Sequence, residues 1–253
     1  MASIDSRIDL HVKVLDDRVV RRAKQRGLDG IVYAPHFTPL PAIEAQARRF
    51  SDGDLTVYPA REVFTGTWRR RRHLLAIDLA SPIPDFITLE GAMEELLAQE
   101  AAILVPHPTF FTVSLGTEEV ERFADVIDAV EVFNPKYLPR HARRSRSLSA
   151  ELGIPPFASS YAHLRGTVGE SWTEFAEPFE NVGDLGAYLR ASGDRTVDRR
   201  RSARHYLRRV AEFSHLGWEN SWEKLDRVLL SQREPTHPDA PLYDGRFDDI
   251  ACY

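Results

Sequence analysis

Short apolar runs alternate with amphipathic segments along most of the chain. The runs at 30–34, 102–105 and 130–133 are short and rich in Val and Ile, which predicts buried strands. The segments at 88–99 and 139–152 have the spacing of apolar positions that an amphipathic helix requires. The second of them also has Pro at its start and Gly just after its end. Strands that alternate with helices in this way are typical of parallel βαβ units, so the pattern predicts an α/β protein.

Polar side chains stand at or just after the ends of the predicted strands. They recur every 25 to 29 residues, the length of one βα unit, except for a gap of 45 residues where a hairpin is inserted. The set consists of His11, His36, Glu62, His107, Asn134 and His163. In a closed barrel of βα units the carboxyl ends of the strands meet at one mouth, where such folds keep their active sites. We therefore expect these side chains to converge in one pocket.

The pattern of the chain changes near residue 200. We expect residues 1–200 to form the barrel and residues 201–253 to form C-terminal helices and a tail that pack on it. The second part begins with a helical pattern that places Trp218 and Trp222 on one face, and it ends in a proline-rich tail. A chain of 253 residues suits a barrel of this kind.

Composition restricts the class of protein. The net charge of −5 argues against a protein that coats nucleic acid, which would be basic overall. The single Cys252 excludes an internal disulfide and fits a reducing compartment. No apolar run has the length of a signal peptide or of a membrane span. We therefore expect a cytoplasmic protein that does not bind a membrane.

The first predicted strand carries two basic side chains on one face. Alternation along residues 8–13 places His11 and Lys13 on the same side of the strand. A His-x-His pair at this spacing would bind one metal ion, but here the second position is Lys. At neutral pH that side chain is a cation and a poor ligand. The strand therefore carries an altered metal-binding pair.

Taken together, these motifs resemble the PHP family, the polymerase and histidinol phosphatase domain. The segments that carry the resemblance follow the order of that family from about residue 8 to residue 175. They are Asp9-Leu10-His11-Val12-Lys13, Gly27 to His36, Glu62 with His73-Leu74-Leu75, Val105-Pro106-His107-Pro108, Val130 to Asn134, and Ser159 to His163 with Val168-Gly169. The resemblance implies a distorted TIM-like (β/α)7 barrel with a C-terminal helical extension, metal ions at its mouth, and hydrolysis of phosphate esters.

The resemblance also implies which metal ligands survive. They fall into two sets, one of Glu62, His73 and His107, and one of His36 and His163 with an early acid. That acid is Asp16 or Asp17, and Asp17 is slightly favoured. Imidazole and carboxylate ligands suit Zn, Mn or Fe rather than Ca or Mg. We therefore expect divalent ions, Zn or Mn with Fe as a third option, and two of them rather than three.

One metal site of the family is altered in this sequence. Lys13 and Tyr161 stand where the family has His and Asp, so this site has lost two ligands together. Our hypothesis is that the Lys13 ammonium occupies the vacated metal position and pairs with Glu62. The opposing interpretation is a polar core without metal or activity, in which Lys13 and Tyr161 mark decay.

The function implied by the resemblance is that of a metal-dependent phosphoesterase, which hydrolyses its substrate by metal-bound hydroxide at the barrel mouth. We assign His11, Lys13 and Arg61 to catalysis, and Arg61, Asn134 and Tyr161 to binding of a small phosphorylated substrate. Capping of a strand end is an equal alternative for Asn134.

The alternative function is a catalytically degenerate scaffold of the PHP fold that binds RNA or protein, and nucleic acid is a partner only under that alternative. A C–N hydrolase of amidohydrolase type is a third option, which the His-Pro and His-Leu-Leu motifs disfavour. Substrate identity and oligomeric state do not follow from the sequence.

Overall fold

The computed structural model describes residues 5–67, 70–110, 113–201, 207–208, 210–211, 214 and 235–252. Within these residues the strands are β1 (Ser6–Val12), β2 (Gly30–Tyr33), β3 (Thr56–Thr65), β4 (Arg72–Ile77), β5 (Ala102–Val105), β6 (Ala129–Phe133), β7 (Pro156–Ala158), β8 (Ser171–Phe175) and β9 (Arg195–Arg199). The helices are α1 (Asp17–Gln25), α2 (Leu40–Phe50), α3 (Leu89–Ala98), α4 (Thr117–Arg122), α5 (Pro139–Leu152) and α6 (Val182–Arg190).

All of these strands belong to one sheet, in the order β7-β6-β5-β4-β3-β2-β1-β8-β9. Two parallel blocks, β1 to β3 and β5 to β7, are joined by β4, which runs antiparallel to both of its neighbours. Strand β7 at one edge of the sheet contacts β8 and β9 at the other. The sheet therefore curves into a nearly closed barrel, and the predicted α/β barrel is confirmed.

The described elements agree closely with the predicted ones, with one exception. The strand at 102–105 and the helix at 139–152 have the predicted bounds, and β4 forms the predicted hairpin with β3. Strand β8 was not predicted, and it pairs antiparallel with both β1 and β9. Every residue of β8 is buried, although three of the five are polar, because its hydroxyl groups bond to neighbouring backbone. The predicted helix with Trp218 and Trp222 lies outside the described residues.

The side chains of the strands divide between the barrel interior and the layer of helices around it. Leu10, Ala60 and Leu75 belong to the interior cluster, which Leu185 and Leu189 of α6 also enter. Alternate residues of the same strands pack outward, against the helices. The interior therefore has an apolar floor, and the polar residues of the strand ends lie above it.

The pairing of β1 with β2 is irregular next to the first polar residues. Its register shifts between Asp9 and Val12. Leu10 packs in the interior cluster, whereas Val12 packs in an outer cluster with Ile31 and Val57. Such an irregularity changes the direction of the side chains that follow it. It sets the directions of His11 and Lys13, which the functional site uses.

Residues 235–252 pack against the barrel beside β3. The Thr236 hydroxyl donates to Asp85 Oδ2 at 2.6 Å, and the Cys252 backbone N–H donates to the Phe86 carbonyl at 2.6 Å. Tyr243 and Phe247 are buried in an outer core cluster. The described part of the tail is thus fixed to the barrel by hydrogen bonds and by apolar contacts. Across the described ranges, no helix combines the length and the apolar character needed to cross a membrane.

The Thr236 hydroxyl satisfies a buried carboxylate, and its removal is expected to destabilise the fold. Thr236→Val should lower the free energy of unfolding by about 1–3 kcal/mol, because the buried Asp85 carboxylate loses the hydrogen bond that the Thr236 hydroxyl donates to it. Urea denaturation measures the change. Thr196→Val serves as the control, because this threonine is exposed on β9 and its hydroxyl makes only a long contact of 3.3 Å with Glu174 Oε2. Its loss should shift the free energy by less than about 0.5 kcal/mol. Equal effects of the two changes would show that the contact with Asp85 does not stabilise the tail.

Candidate metal centre

Glu62 lies at the centre of the barrel mouth and is fully buried. Its Oε2 atom is 2.6 Å from Lys13 Nζ and 3.1 Å from His36 Nδ1. Its Oε1 atom is close to three imidazole nitrogens, which are His107 Nε2 at 3.1 Å, His73 Nδ1 at 3.3 Å and His11 Nε2 at 3.5 Å. One carboxylate thus contacts three of the side chains predicted to converge, His11, His36 and His107, and also Lys13 and His73.

Alternation along the antiparallel hairpin explains why these groups point into the barrel. Ala60 is an interior residue of β3, and Glu62 lies two positions further along on the same face. On β4, Leu75 is interior and His73 shares its face. His107 follows β5 after a proline and has a positive φ of 36°, a conformation that non-glycine residues adopt mainly where function or packing holds them. Its backbone N–H is held by Glu131 Oε2 at 2.7 Å.

One of the two predicted ligand sets is complete. Glu62, His73 and His107 each offer one ligand atom, and these atoms all lie within 4.8 Å of one another. Both ring nitrogens of His73 are buried without a hydrogen-bond partner, as are both of His11. Buried polar atoms are rarely left unsatisfied, so this donor set fits an ion that would accept their lone pairs. The carboxylate and two imidazoles suit Zn or Mn.

The second predicted set is incomplete in the structure. His36 and His163 do meet, with 3.4 Å between their Nε2 atoms. Asp17, however, is exposed in the first turn of α1. Asp16 caps that helix by accepting from Arg18 N and Val19 N at 2.9 Å, and it pairs with the Arg165 side chain. The acids that were expected to join the two histidines are therefore used at the start of a helix.

The two residues that replace family ligands are both in the pocket. Lys13 Nζ bonds to Glu62 and also donates to the Ala34 carbonyl at 2.5 Å, as the pairing hypothesis requires. The Tyr161 ring lies 4.8 Å, centroid to centroid, from the rings of both His11 and His107. Tyr161 is buried and has a positive φ of 45°. A packed ring and an ammonium group thus occupy this side of the mouth.

Arg61 and Asn134 have settings that differ from those expected for substrate-binding residues. Arg61 alternates with Glu62 and so points away from the pocket, where it is fully buried and bonds to Asp85 Oδ1 at 3.0 Å. Asn134 donates to Glu131 Oε2 at 2.8 Å and accepts from the Lys136 backbone N–H at 2.9 Å. Arg61 therefore holds the fold together, and Asn134 caps the end of its strand, the alternative that the sequence left open.

Two residues of the pocket were missed by the sequence analysis. Lys136 is 1% exposed, and its Nζ lies 2.7 Å from His163 Nδ1. Glu131 is fully buried and accepts from the backbone of His107 and from the Ser159 hydroxyl at 2.5 Å. A signal for Lys136 was present, because lysine occurs only four times in the chain and this one follows a strand-end motif directly.

Burial keeps four histidines of the mouth neutral. It lowers the pKa of His36 to about 3 and that of His73 to about 4, and it holds the pKa values of His11 and His163 well below the usual 6.5. Burial raises the pKa of Glu62, but the Lys13 ammonium and the neighbouring imidazoles together outweigh it and keep that pKa well below 4.5. Neutral imidazoles beside an ionised carboxylate are the protonation states that metal binding requires.

These pKa values predict that the metal-free protein is sensitive to acid. Each histidine with a lowered pKa takes up a proton below about pH 6.5 in the unfolded chain but not in the folded chain. The free energy of unfolding therefore decreases as the pH falls from about 6.5 to about 4. The slope is at most about 1.4 kcal/mol per pH unit for each group. Urea denaturation at several pH values measures the slope. In His11→Gln one histidine no longer takes up a proton on unfolding, so the slope should be smaller by up to about 1.4 kcal/mol per pH unit. An unchanged slope in this variant would contradict the neutral, buried state of His11.

Comparisons with known proteins match one part of the chain to a family model and its fold to solved structures. A family model described as PHP-associated matches residues 139–192. No match was found among curated proteins. Among solved structures, PsfC from Pseudomonas syringae PB-5123 is 18% identical, with a TM-score of 0.59 over 83% of this chain and 97% of PsfC.

Two further structures share the fold. A protein from Bifidobacterium adolescentis, named as a metal-dependent phosphoesterase, is 13% identical, with a TM-score of 0.51 over 74% of this chain and 96% of its own. The lesion-specific endonuclease EndoQ from Pyrococcus furiosus is 17% identical, with a TM-score of 0.54 over 76% of this chain and 57% of its own. These structures show that the chain shares their fold, and the PHP-associated match is confined to residues 139–192.

Proposed function

We propose that the protein is a metal-dependent hydrolase that cleaves a phosphate ester of a small phosphorylated substrate. The observation that carries the proposal is the buried set of Glu62, His73 and His107, whose ligand atoms lie within 4.8 Å of one another. The PHP-associated segment and the phosphoesterase and endonuclease among the structural relatives support the same class of reaction. Zn and Mn are the ions that this donor set suits best.

The residues around the ligand set have distinct tasks in this proposal. A divalent ion held there supplies Lewis acidity for water and for the phosphoryl group. The Lys13 ammonium lies 2.6 Å from Glu62, so the pocket would offer a fixed positive charge to the phosphoryl group. His11 is a neutral imidazole that can hold its hydrogen at Nε2, 3.5 Å from Glu62 Oε1. The packed ring of Tyr161 excludes water from that side of the pocket.

Metal analysis combined with two assays tests the proposal. The purified protein is expected to bind Zn²⁺ or Mn²⁺ and to hydrolyse 4-nitrophenyl phosphate or its diester. The activity should disappear when a chelator removes the ion and return when the ion is restored. Protein that binds neither ion and is inert with both substrates would contradict the proposal.

The degenerate scaffold is the second candidate function, and one observation favours it. Two ammonium groups, those of Lys13 and Lys136, lie in the pocket among the family's ligand positions. Fixed cations of this kind could hold the phosphate of an RNA instead of serving catalysis. Inert, metal-free protein that copurifies with nucleic acid would support the scaffold.

Restoring the family's first ligand pair tests the role of Lys13. In Lys13→His, we expect one more metal ion per chain than in the unchanged protein, because the ammonium that occupies the vacated position is replaced by an imidazole. Inductively coupled plasma mass spectrometry counts the ions. Arg49→His is the control, since it adds an imidazole at an exposed position of α2. An unchanged count in Lys13→His would rule out the replacement hypothesis.

A further inference from the structure

Lys136 is buried against Nδ1 of His163, across the imidazole ring from the Nε2 atom that faces His36. Its Nζ lies 2.7 Å from His163 Nδ1 and also donates to the Tyr161 carbonyl. The centroid of the Tyr161 ring lies 3.7 Å from the same nitrogen, and the face of an aromatic ring stabilises a cation. An ammonium group has three N–H donors and no acceptor, so the hydrogen bond to His163 runs from the lysine to the imidazole.

This hydrogen bond determines where His163 carries its proton. In a neutral imidazole one ring nitrogen bears the hydrogen and the other accepts. Because Nδ1 accepts from Lys136, the hydrogen is on Nε2, which faces His36 Nε2 at 3.4 Å. The other tautomer would direct Nδ1–H at the Tyr161 carbonyl, 3.1 Å away, but it would also bring two donors face to face at 2.7 Å.

We propose that Lys136 excludes a second metal ion from the mouth, so that the centre holds one ion, at Glu62, His73 and His107. An ion shared by His36 and His163 would need the Nε2 lone pair of both rings, and the Nε2 of His163 carries a hydrogen. The inference departs from the expectation of two ions, and it rests on the proposed metal-binding function.

The position of the acids supports the same conclusion. The carboxylates that were expected to complete the second set, Asp16 and Asp17, lie at the start of α1, one as its cap and the other exposed. His36 Nδ1 lies 3.1 Å from Glu62 Oε2, an oxygen that already accepts from Lys13. The acids that were expected in the second set are thus not placed beside the pair of histidines.

Metal counting and histidine NMR test the proposal. The unchanged protein, reconstituted with Zn²⁺ and freed of unbound ion, is expected to hold one ion per chain, and ¹⁵N spectra should show the Nε2–H tautomer for His163. Lys136→Met keeps the length of the side chain and removes its donors, and it should bind a second ion per chain. Lys24→Met is the matched control, because it removes a surface lysine and should leave the count at one.

The outcomes separate this inference from the proposed function. Two ions in the unchanged protein, or a folded Lys136→Met variant that still holds one, would overturn the role of Lys136 alone. No bound ion in the unchanged protein would overturn the proposed function. If Lys136→Met does not fold, the tautomer of His163 in the unchanged protein tests the inference instead. Hydrogen at Nε2 would support it, and hydrogen at Nδ1 would overturn it.

Discussion

In His107→Ala, hydrolysis is expected to fall by more than about 100-fold, and the bound ion is expected to be lost. Changes to groups that merely orient a metal ligand cost about 10- to 100-fold, so loss of the ligand itself should cost more. His107 is one of three residues whose ligand atoms lie within 4.8 Å of one another, and it touches Glu62 at 3.1 Å. Assays with added Zn²⁺ and Mn²⁺, together with metal analysis, measure both losses.

His141→Ala is the matched control for this prediction. His141 is half-buried on α5, contacts Phe110 and is not one of the predicted ligands. It should keep the bound ion and an activity within about twofold of the unchanged protein. An active His107→Ala variant with a full complement of metal would place the catalytic ion elsewhere.

Glu62→Gln is expected to lose the ion and also to destabilise the metal-free protein by about 3–5 kcal/mol. The amide leaves the Lys13 ammonium buried without its anionic partner, and breaking a buried ion pair from one side has this cost. Urea denaturation of the metal-free proteins measures the change in the free energy of unfolding.

A double variant distinguishes the charge effect from a packing effect. Glu62→Gln combined with Lys13→Met removes both charges, so most of the lost stability should return, although the metal site stays empty. If the double variant is less stable than Glu62→Gln alone, the pairing of Lys13 with Glu62 does not explain the loss.

Much of the fold could be predicted because its signals are local. The run at 102–105 and the helix at 139–152 show their elements directly, by apolar periodicity and by the Pro and Gly at the helix ends. Strand β8 gave no such signal, because three of its five residues are polar and its burial depends on partners in β1, β7 and β9. Long-range pairing of this kind is not visible in a window of sequence.

The candidate site was predictable to the extent that backbone position alone sets the direction of a side chain. Glu62, His73 and His107 meet because strand ends converge. The exclusion of Arg61 also follows from alternation, since a neighbour of Glu62 on a strand must face the other way. The use of Asp16 as a helix cap and the approach of Lys136 to His163 depend on side-chain competition in three dimensions, which spacing does not reveal.

The buried carboxylate of Asp85 joins two distant parts of the chain. It bonds to Arg61, the residue next to Glu62 on β3, and to Thr236 near the start of the C-terminal segment. A change in residues 235–252, by proteolysis or by a fused tag, is therefore expected to disturb β3, the strand that carries Glu62. Residues 235–252 thus help to support the candidate metal centre, and we expect metal affinity to fall when their contact with Asp85 is lost.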